Sequence, residues 1–303
     1  MHDRKPKRTA PGHLFPTAAE DLKFAHESRS RGFTREQLES QAYRLAFDDM
    51  DFLLSEELRG VRLMLELDKP DSILKQHDVV HTVAIYGSAR IESAEAVARA
   101  AQQLERDRAS NPQDPTLAQR TKELERKRKQ ARYYEEARRF ASLVTSRSQC
   151  EDCPKLTVVT GGGPGIMEAG NLGAHEAGGE SIGMNIVLPH EQFPNPFVSP
   201  QFCFQFHYFA IRKMHFLLRA RALVVFPGGW GTLDELFESL TLVQTKKIAP
   251  LPILIFGREF WEGMINFDHM VEQGVISEED LKLFTYVETA EEAWDLIKVS
   301  LQE

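Results

Sequence analysis

The chain has 303 residues, 42% of them hydrophobic, and 37 Lys and Arg against 45 Asp and Glu give a net charge of −8. That is an ordinary globular balance for one large α/β domain or two small ones. Its acidity argues against general nucleic-acid binding, no apolar run approaches the roughly 18 residues of a membrane span, and three cysteines build no disulfide framework.

At the start, Met1–Lys7 carries charges with no apolar stretch behind them, so no secretory leader is expected and the cytoplasm is the expected location. Residues 1 to about 30 are polar, carry Pro6, Pro11 and Pro16, and read as a loose arm. From Thr34 the pattern turns helical: Leu38, Ala42, Leu45, Ala46 and Leu53 form one stripe of a 3.6-residue period. A second helix is predicted over Ser55–Leu67, with Leu58, Val61 and Leu65 on one side and Pro70 as its stop. The first 77 residues are therefore an arm plus a helical extension.

Beyond them, strands and helices alternate. Predicted strands are Val80–Tyr86, Leu156–Val159, Ile182–Leu188, Leu223–Phe226, Leu251–Phe256 and a short Thr285–Val287. Their unbroken Val/Ile/Leu runs predict a doubly wound, mostly parallel α/β sheet covered on both faces. Roughly seventy residues separate the first two strands, far more than a standard crossover. Within 101–140, eleven Lys/Arg oppose seven Asp/Glu, and Asn111–Pro115 reads as a turn between two helices. Arg126-Lys-Arg-Lys129 has the look of a nucleic-acid patch, but interleaved Glu123, Glu125, Glu135 and Glu136 favour a solvated face laced with ion pairs.

Ligands in such sheets bind beyond the carboxyl ends of the strands, and three strand-to-helix junctions carry unusual residues. Gly87-Ser88-Ala-Arg90 offers a sharp turn, a hydroxyl and a cation able to pair with phosphate. Thr160-Gly161-Gly162-Gly163-Pro-Gly165-Ile-Met167-Glu168 lets backbone N–H groups converge on an anion at a helix mouth. It is not the G-x-G-x-x-G fingerprint, and Ile182–Leu188 ends in Pro189-His190 without the acid a ribose 2′-hydroxyl needs, so a mononucleotide or sugar phosphate fits better than NAD. The third junction is Pro227-Gly228-Gly229-Trp230-Gly231-Thr232-Leu-Asp-Glu235, where Thr232 and Glu235 also have capping-box spacing and Glu238 adds charge one turn on.

Pro227–Glu235 resembles the PGGxGTxxE signature of the LOG (LONELY GUY) family of nucleoside 5′-monophosphate phosphoribohydrolases, once labelled lysine decarboxylases. Arg212-Lys213 stands fifteen residues upstream of the proline, as in that family, and the Thr160–Met167 and Gly87–Arg90 runs match too. The resemblance covers roughly residues 78–300 and implies a Rossmann-like nucleotide-binding catalytic domain over 78–303, with a helical insertion near 102–140. It implies hydrolysis of an N-glycosidic bond to free base and ribose 5-phosphate. Glu235 and Arg212 would be catalytic, Glu235 under the anomeric carbon and Arg212 aiding base departure or fixing the ribose phosphate. Lys213 would adjoin the ligand, Gly228, Gly229, Gly231 and Thr232 would contact phosphate, and Thr241 would close the pocket. Gly87, Ser88, Gly161, Gly162, Gly163, Gly165 and Met167 complete the expected substrate site. No metal and no cofactor is expected, and the partners are a nucleoside 5′-monophosphate and further copies of the chain, at least as a dimer. The alternative is a non-catalytic nucleotide or molybdenum-cofactor carrier on the same fold.

Other signals are weaker. Cys150-Glu-Asp-Cys153 has no second ligand pair. No Ser-x-His-Lys run supports a pyridoxal-phosphate decarboxylase. Phe193, Phe197 and Tyr208 are candidates for a base pocket built from 189–209. Trp230 is expected to be exposed, facing a base or a partner subunit.

Overall fold

The computed structural model describes residues 16–29, 34–148, 154–189 and 193–301. Two compact units divide between Leu65 and Glu66. The first contains α1 (Ala18–Arg29), α2 (Arg35–Glu39), α3 (Met50–Leu53) and the start of α4 (Arg59–Gln76). Two expectations change here. Residues 18–29 are helical where a loose arm was predicted, and the Leu38–Leu53 stripe is broken into short turns. The backbone is extended at Ser40, Arg44, Leu45 and Asp49, and none of the short helices over this stretch buries a side chain. An amphipathic stripe with no covered face lacks the packing that stabilises helices of this length.

The second unit holds β1 (His81–Tyr86), α5 (Ala94–Ser110), α6 (Leu117–Arg147), β2 (Leu156–Thr160), α7 (Ile166–Glu176), β3 (Ser181–Ile186), β4 (Cys203–Phe206), α8 (Phe209–Leu218), β5 (Ala220–Val225), α9 (Trp230–Gln244), β6 (Ile253–Phe256), α10 (Arg258–Glu262), α11 (Phe267–Glu272), β7 (Thr285–Val287) and α12 (Ala290–Ser300). The strands form one seven-stranded sheet in the order β4-β3-β2-β1-β5-β6-β7, every pair parallel. Alternate residues of each strand feed two cores. Val83, Ile85, Val158, Val224 and Phe256 pack under α6, α7 and α12, while Ala84, Tyr86, Val159, Val225 and Ile255 pack under α4, α8 and α9. β4 lies in a stretch read from the sequence as loop. It is a four-residue edge strand that buries only Phe204 and Phe206, too short for its alternation to stand out.

The long segment after β1 is two helices, α5 and α6, joined at 111–116. Its charges are laced as expected: Arg120 pairs with Asp107 at 2.6 Å, Lys127 with Glu92 at 2.7 Å, and Arg138 donates to Glu176.

Pro70 does not stop α4; it sits buried inside it. Proline has no N–H to donate to the carbonyl four residues back, which here is that of Glu66. That carbonyl lies 3.0 Å from His215 Nε2 on α8, which donates to it. The Glu66 carboxylate also accepts from the N–H groups of His207 and Tyr208 at 2.7 and 3.0 Å, at the entry to α8. Burial keeps His215 neutral by lowering its pKa. One residue thus ties α4 to the helix that carries Arg212. His215→Leu should destabilise the fold by about 1–3 kcal/mol, the range for an orphaned buried acceptor. In a Pro70→Ala background the new N–H takes over, so the same change should cost roughly 1 kcal/mol less. A double-mutant cycle by urea unfolding reads this coupling, and simple additivity would refute it.

Candidate active site

Strand order reverses direction between β1 and β5, the point where open α/β sheets form their binding crevice. The loops after β1 and β5 meet there, and the Ser88 peptide holds both glycine loops. Its N–H donates to Pro227 O at 3.1 Å, and its carbonyl accepts from Ile166 N at 3.1 Å. The approach is close enough to demand glycine at two places. A Cβ on Gly87 would lie 2.6 Å from Ile166 Cγ2, and one on Gly165, whose φ is +72°, would collide with the Ser88 carbonyl.

A buried polar network shapes the second loop. Thr160 Oγ1 accepts from Gly162 N at 2.9 Å and donates to Asn171 Oδ1 at 2.7 Å. Asn195 Nδ2 donates to the carbonyls of Gly162 and Gly163 at 3.1 and 3.0 Å. Asn171 continues the network to Ser181 Oγ at 2.9 Å. Two loop carbonyls are thereby occupied and turned away from the helix mouth.

The third loop ends at Gly229, the N-cap of α9, which brings no side-chain acceptor. Thr232 lies inside the first turn, packed against Gly228. The capping-box reading of Thr232 and Glu235 therefore does not hold. Glu235 instead reaches across to Arg212, with Nη1 to Oε1 at 3.3 Å. Arg212 is buried, donates from Nε to Met184 O at 2.6 Å, and lies over the Phe216 ring at 5.1 Å. Gly161 and Met167 crowd the same guanidinium: a Cβ on Gly161 would lie 2.6 Å from Met167 Sδ and 2.7 Å from Arg212 Nη2. Burial pushes the Glu235 carboxyl up from 4.5 to about 7, opposed in part by the charge of Arg212. The site thus unites an arginine, a carboxyl poised near neutrality and two glycine loops at the mouths of α7 and α9.

Comparison with known proteins bears on this arrangement. A family model described as "Possible lysine decarboxylase" matches residues 167–297. The cytokinin riboside 5′-monophosphate phosphoribohydrolase LOG of Oryza sativa subsp. japonica is 29% identical over 142 residues, 45% of this chain and 57% of that protein. The probable cytokinin riboside 5′-monophosphate phosphoribohydrolase LOGL5 of the same plant is 28% identical over 137 residues, 44% of this chain and 54% of that protein. Over less than half of its length, then, the chain is similar to LOG-family proteins. It spans about half the length of these two curated relatives. Among solved structures, the molybdenum cofactor carrier protein of Chlamydomonas reinhardtii aligns at 16% identity over 74% of this chain and 99% of its own, with a TM-score of 0.42.

Several residues that the LOG resemblance assigns to the ligand have other engagements. Lys213 binds Asp234 at 3.2 Å and Glu238 at 3.0 Å. Burial opposes its charge, yet these two carboxylates raise its pKa. Glu238 is thereby neutralised. Thr241 is exposed, bonds the Phe237 carbonyl at 2.7 Å, and lies nearly two turns beyond Glu235, in a groove with Trp230, Leu233 and Leu242. It is not among the groups around the Arg212–Glu235 pair. Trp230 is 89% exposed. Of the base-pocket candidates, Phe193 is exposed, Phe197 packs against His175, and Tyr208 caps the start of α8. His190, Cys150 and Cys153 lie outside the described residues.

Sequence reasoning missed Asn171, Asn195 and Tyr86. The Tyr86 ring packs edge-on against Phe216 at 5.2 Å, and its hydroxyl is pushed well above its ordinary pKa by burial and by the charge of Glu235. Tyr86 ends a strand of ordinary pattern, and nothing marked it.

Glu235 yields a pH prediction. Its folded pKa is raised, so the folded chain holds this proton more tightly than the unfolded chain. The corresponding stability is fully present below about 4.5 and is lost as pH rises through about 7. Glu235→Gln should flatten this part of the profile, narrowing the stability difference between pH 5 and pH 8 by up to roughly 3 kcal/mol. Urea unfolding of both proteins at the two pH values checks it, and an unchanged slope would refute it.

Proposed function

We propose that this protein is a cytoplasmic phosphoribohydrolase, converting a nucleoside 5′-monophosphate and water to free base and ribose 5-phosphate. The observation that carries this reading is the buried Arg212–Glu235 contact beside the glycine loops. Backbone N–H groups at the starts of α7 and α9 suit a phosphate. Cleavage of an N-glycosidic bond builds positive charge on the sugar, which a carboxylate beneath the anomeric carbon stabilises. Glu235 serves in its ionised form and also orients the attacking water. Arg212 restrains the carboxylate and faces the departing base or the ribose phosphate. The two rice relatives are named for cytokinin riboside 5′-monophosphate, so that nucleotide is tested beside AMP, GMP, CMP and UMP. A decarboxylase needs a lysine free to form a Schiff base, and Lys213 is committed to Asp234 and Glu238.

Assay of free base from these nucleotides is the direct test. AMP should exceed adenosine in kcat/KM by about two or more powers of ten, because charge-assisted phosphate contacts are worth about 1.5–3 kcal/mol each. Glu235→Gln should keep its fold and lose about 10²–10³ in turnover. No base from any nucleotide, with binding retained, would make the protein a carrier. Near-full activity in the Gln variant would leave Glu235 a structural residue.

We further propose that two copies meet over the groove formed by Trp230, Leu233, Phe237 and Leu242, an apolar stretch that a monomer leaves open to water. Light scattering at micromolar concentration should give a dimer or larger assembly, and Trp230→Glu should shift it toward monomer. A wild-type monomer would overturn this.

A further inference from the structure

On the α6 side of the β1–β5 crevice lies a cavity of about 570 Å³ that does not include Arg212 or Glu235. Ser88 and Gly228, from the two loops joined at the switch point, form its inner wall. α6 contributes Glu123, Arg126, Lys127 and Gln130 to its lining, and the loop after β1 adds Arg90 and Glu92. The α6 lining belongs to the segment that makes the β1–β2 connection so long, an addition to what a crossover requires.

The charges in this cavity are unevenly matched. Lys127 is satisfied, 2.7 Å from Glu92 and 3.6 Å from Glu123. Arg90 and Arg126 have no carboxylate ion pair among the described residues, and of the cations on α6 that lack one, Arg126 is the one on the cavity wall. With Glu92 and Glu123 of the same lining engaged by Lys127, the two guanidinium groups offer planar, bidentate donors, the geometry that suits phosphate oxygens. The cavity volume falls within the range of small-ligand sites. Gly228 is shared between this cavity and the turn leading into α9, so an anion seated on that turn borders the cavity that Arg90 and Arg126 line.

We propose that this cavity is a second anion subsite, which takes the outer phosphate of a ligand carrying a pyrophosphate or longer phosphate chain, such as a nucleoside diphosphate or triphosphate. The inner phosphate occupies the Gly228–Gly231 turn, so the inference rests on the phosphate seat of the proposed function. A monophosphate fills the inner seat alone and leaves both arginines unmatched.

Calorimetry on the full chain with inorganic phosphate and inorganic pyrophosphate tests this without any turnover. Pyrophosphate should bind about tenfold or more tightly than phosphate, the ratio that one charge-assisted contact supplies. Arg90→Ala and Arg126→Ala should each reduce that ratio, and the double variant should bring it close to one, with melting temperatures showing that the fold is kept. Arg128→Ala, on the same helix but outside the cavity wall, should leave the ratio as it was. Equal affinities, a preference that survives the double variant, or an equal loss in Arg128→Ala would overturn the subsite. Base release from AMP is scored separately. Release with equal anion affinities removes the subsite alone, whereas an arginine-dependent pyrophosphate preference without release removes the hydrolase reading alone.

Discussion

The contact between Arg212 and Glu235 constrains the rest of the site, because both side chains lie out of bulk water where an unmatched charge is costly. Arg212 is held from three directions: by the Met184 carbonyl on β3, by the Phe216 ring on its own helix and by the carboxylate on α9. None of these works unless α8 is fixed relative to the sheet. That depends on Glu66, whose carboxylate and carbonyl both bind α8. A proline inside α4 supplies the free carbonyl. What looks like a helix-breaking residue is part of the anchoring of a buried cation.

The glycine loops meet a different constraint, that of backbone close approach. The Ser88 peptide serves both neighbouring loops, so any shift of one is felt by the other. Side chains at Gly87 or Gly165 would separate them. Asn195 then holds the carbonyls of Gly162 and Gly163, a polar network whose members satisfy one another and which is therefore rigid rather than costly. Pre-set donors of this kind stabilise charge without reorganising when it appears.

The charged insertion has two characters. Five of the eleven cations between 101 and 140 pair with a carboxylate, and such pairs contribute little each at an exposed surface. Arg126 is among those without such a partner, and it lines a cavity together with Arg90 from the loop after β1. The same helix is solvated over much of its length and lines that cavity at one point.

The sequence by itself determined the sheet, because strands buried on both faces must be apolar throughout and the helices between them must be amphipathic. It also marked the three loops, since runs of glycine after a buried strand have few other uses, while Arg212 and Glu235 were singled out by the resemblance to the LOG family. Sequence periodicity misled where burial decides. The stripe at Leu38–Leu53 found no face to cover and broke into turns, while Pro70 remained helical because Glu66 found a substitute donor. The edge strand Cys203–Phe206 was too short to read. The partners of Glu235, Lys213 and Asn195 lie 23, 21 and 33 residues away in the chain, or close to that. Only tertiary packing chooses among such distant pairings. A Thr-x-x-Glu spacing is the same string of letters whether the glutamate caps its own helix or crosses to a buried arginine, and the desolvation of that arginine decided between them.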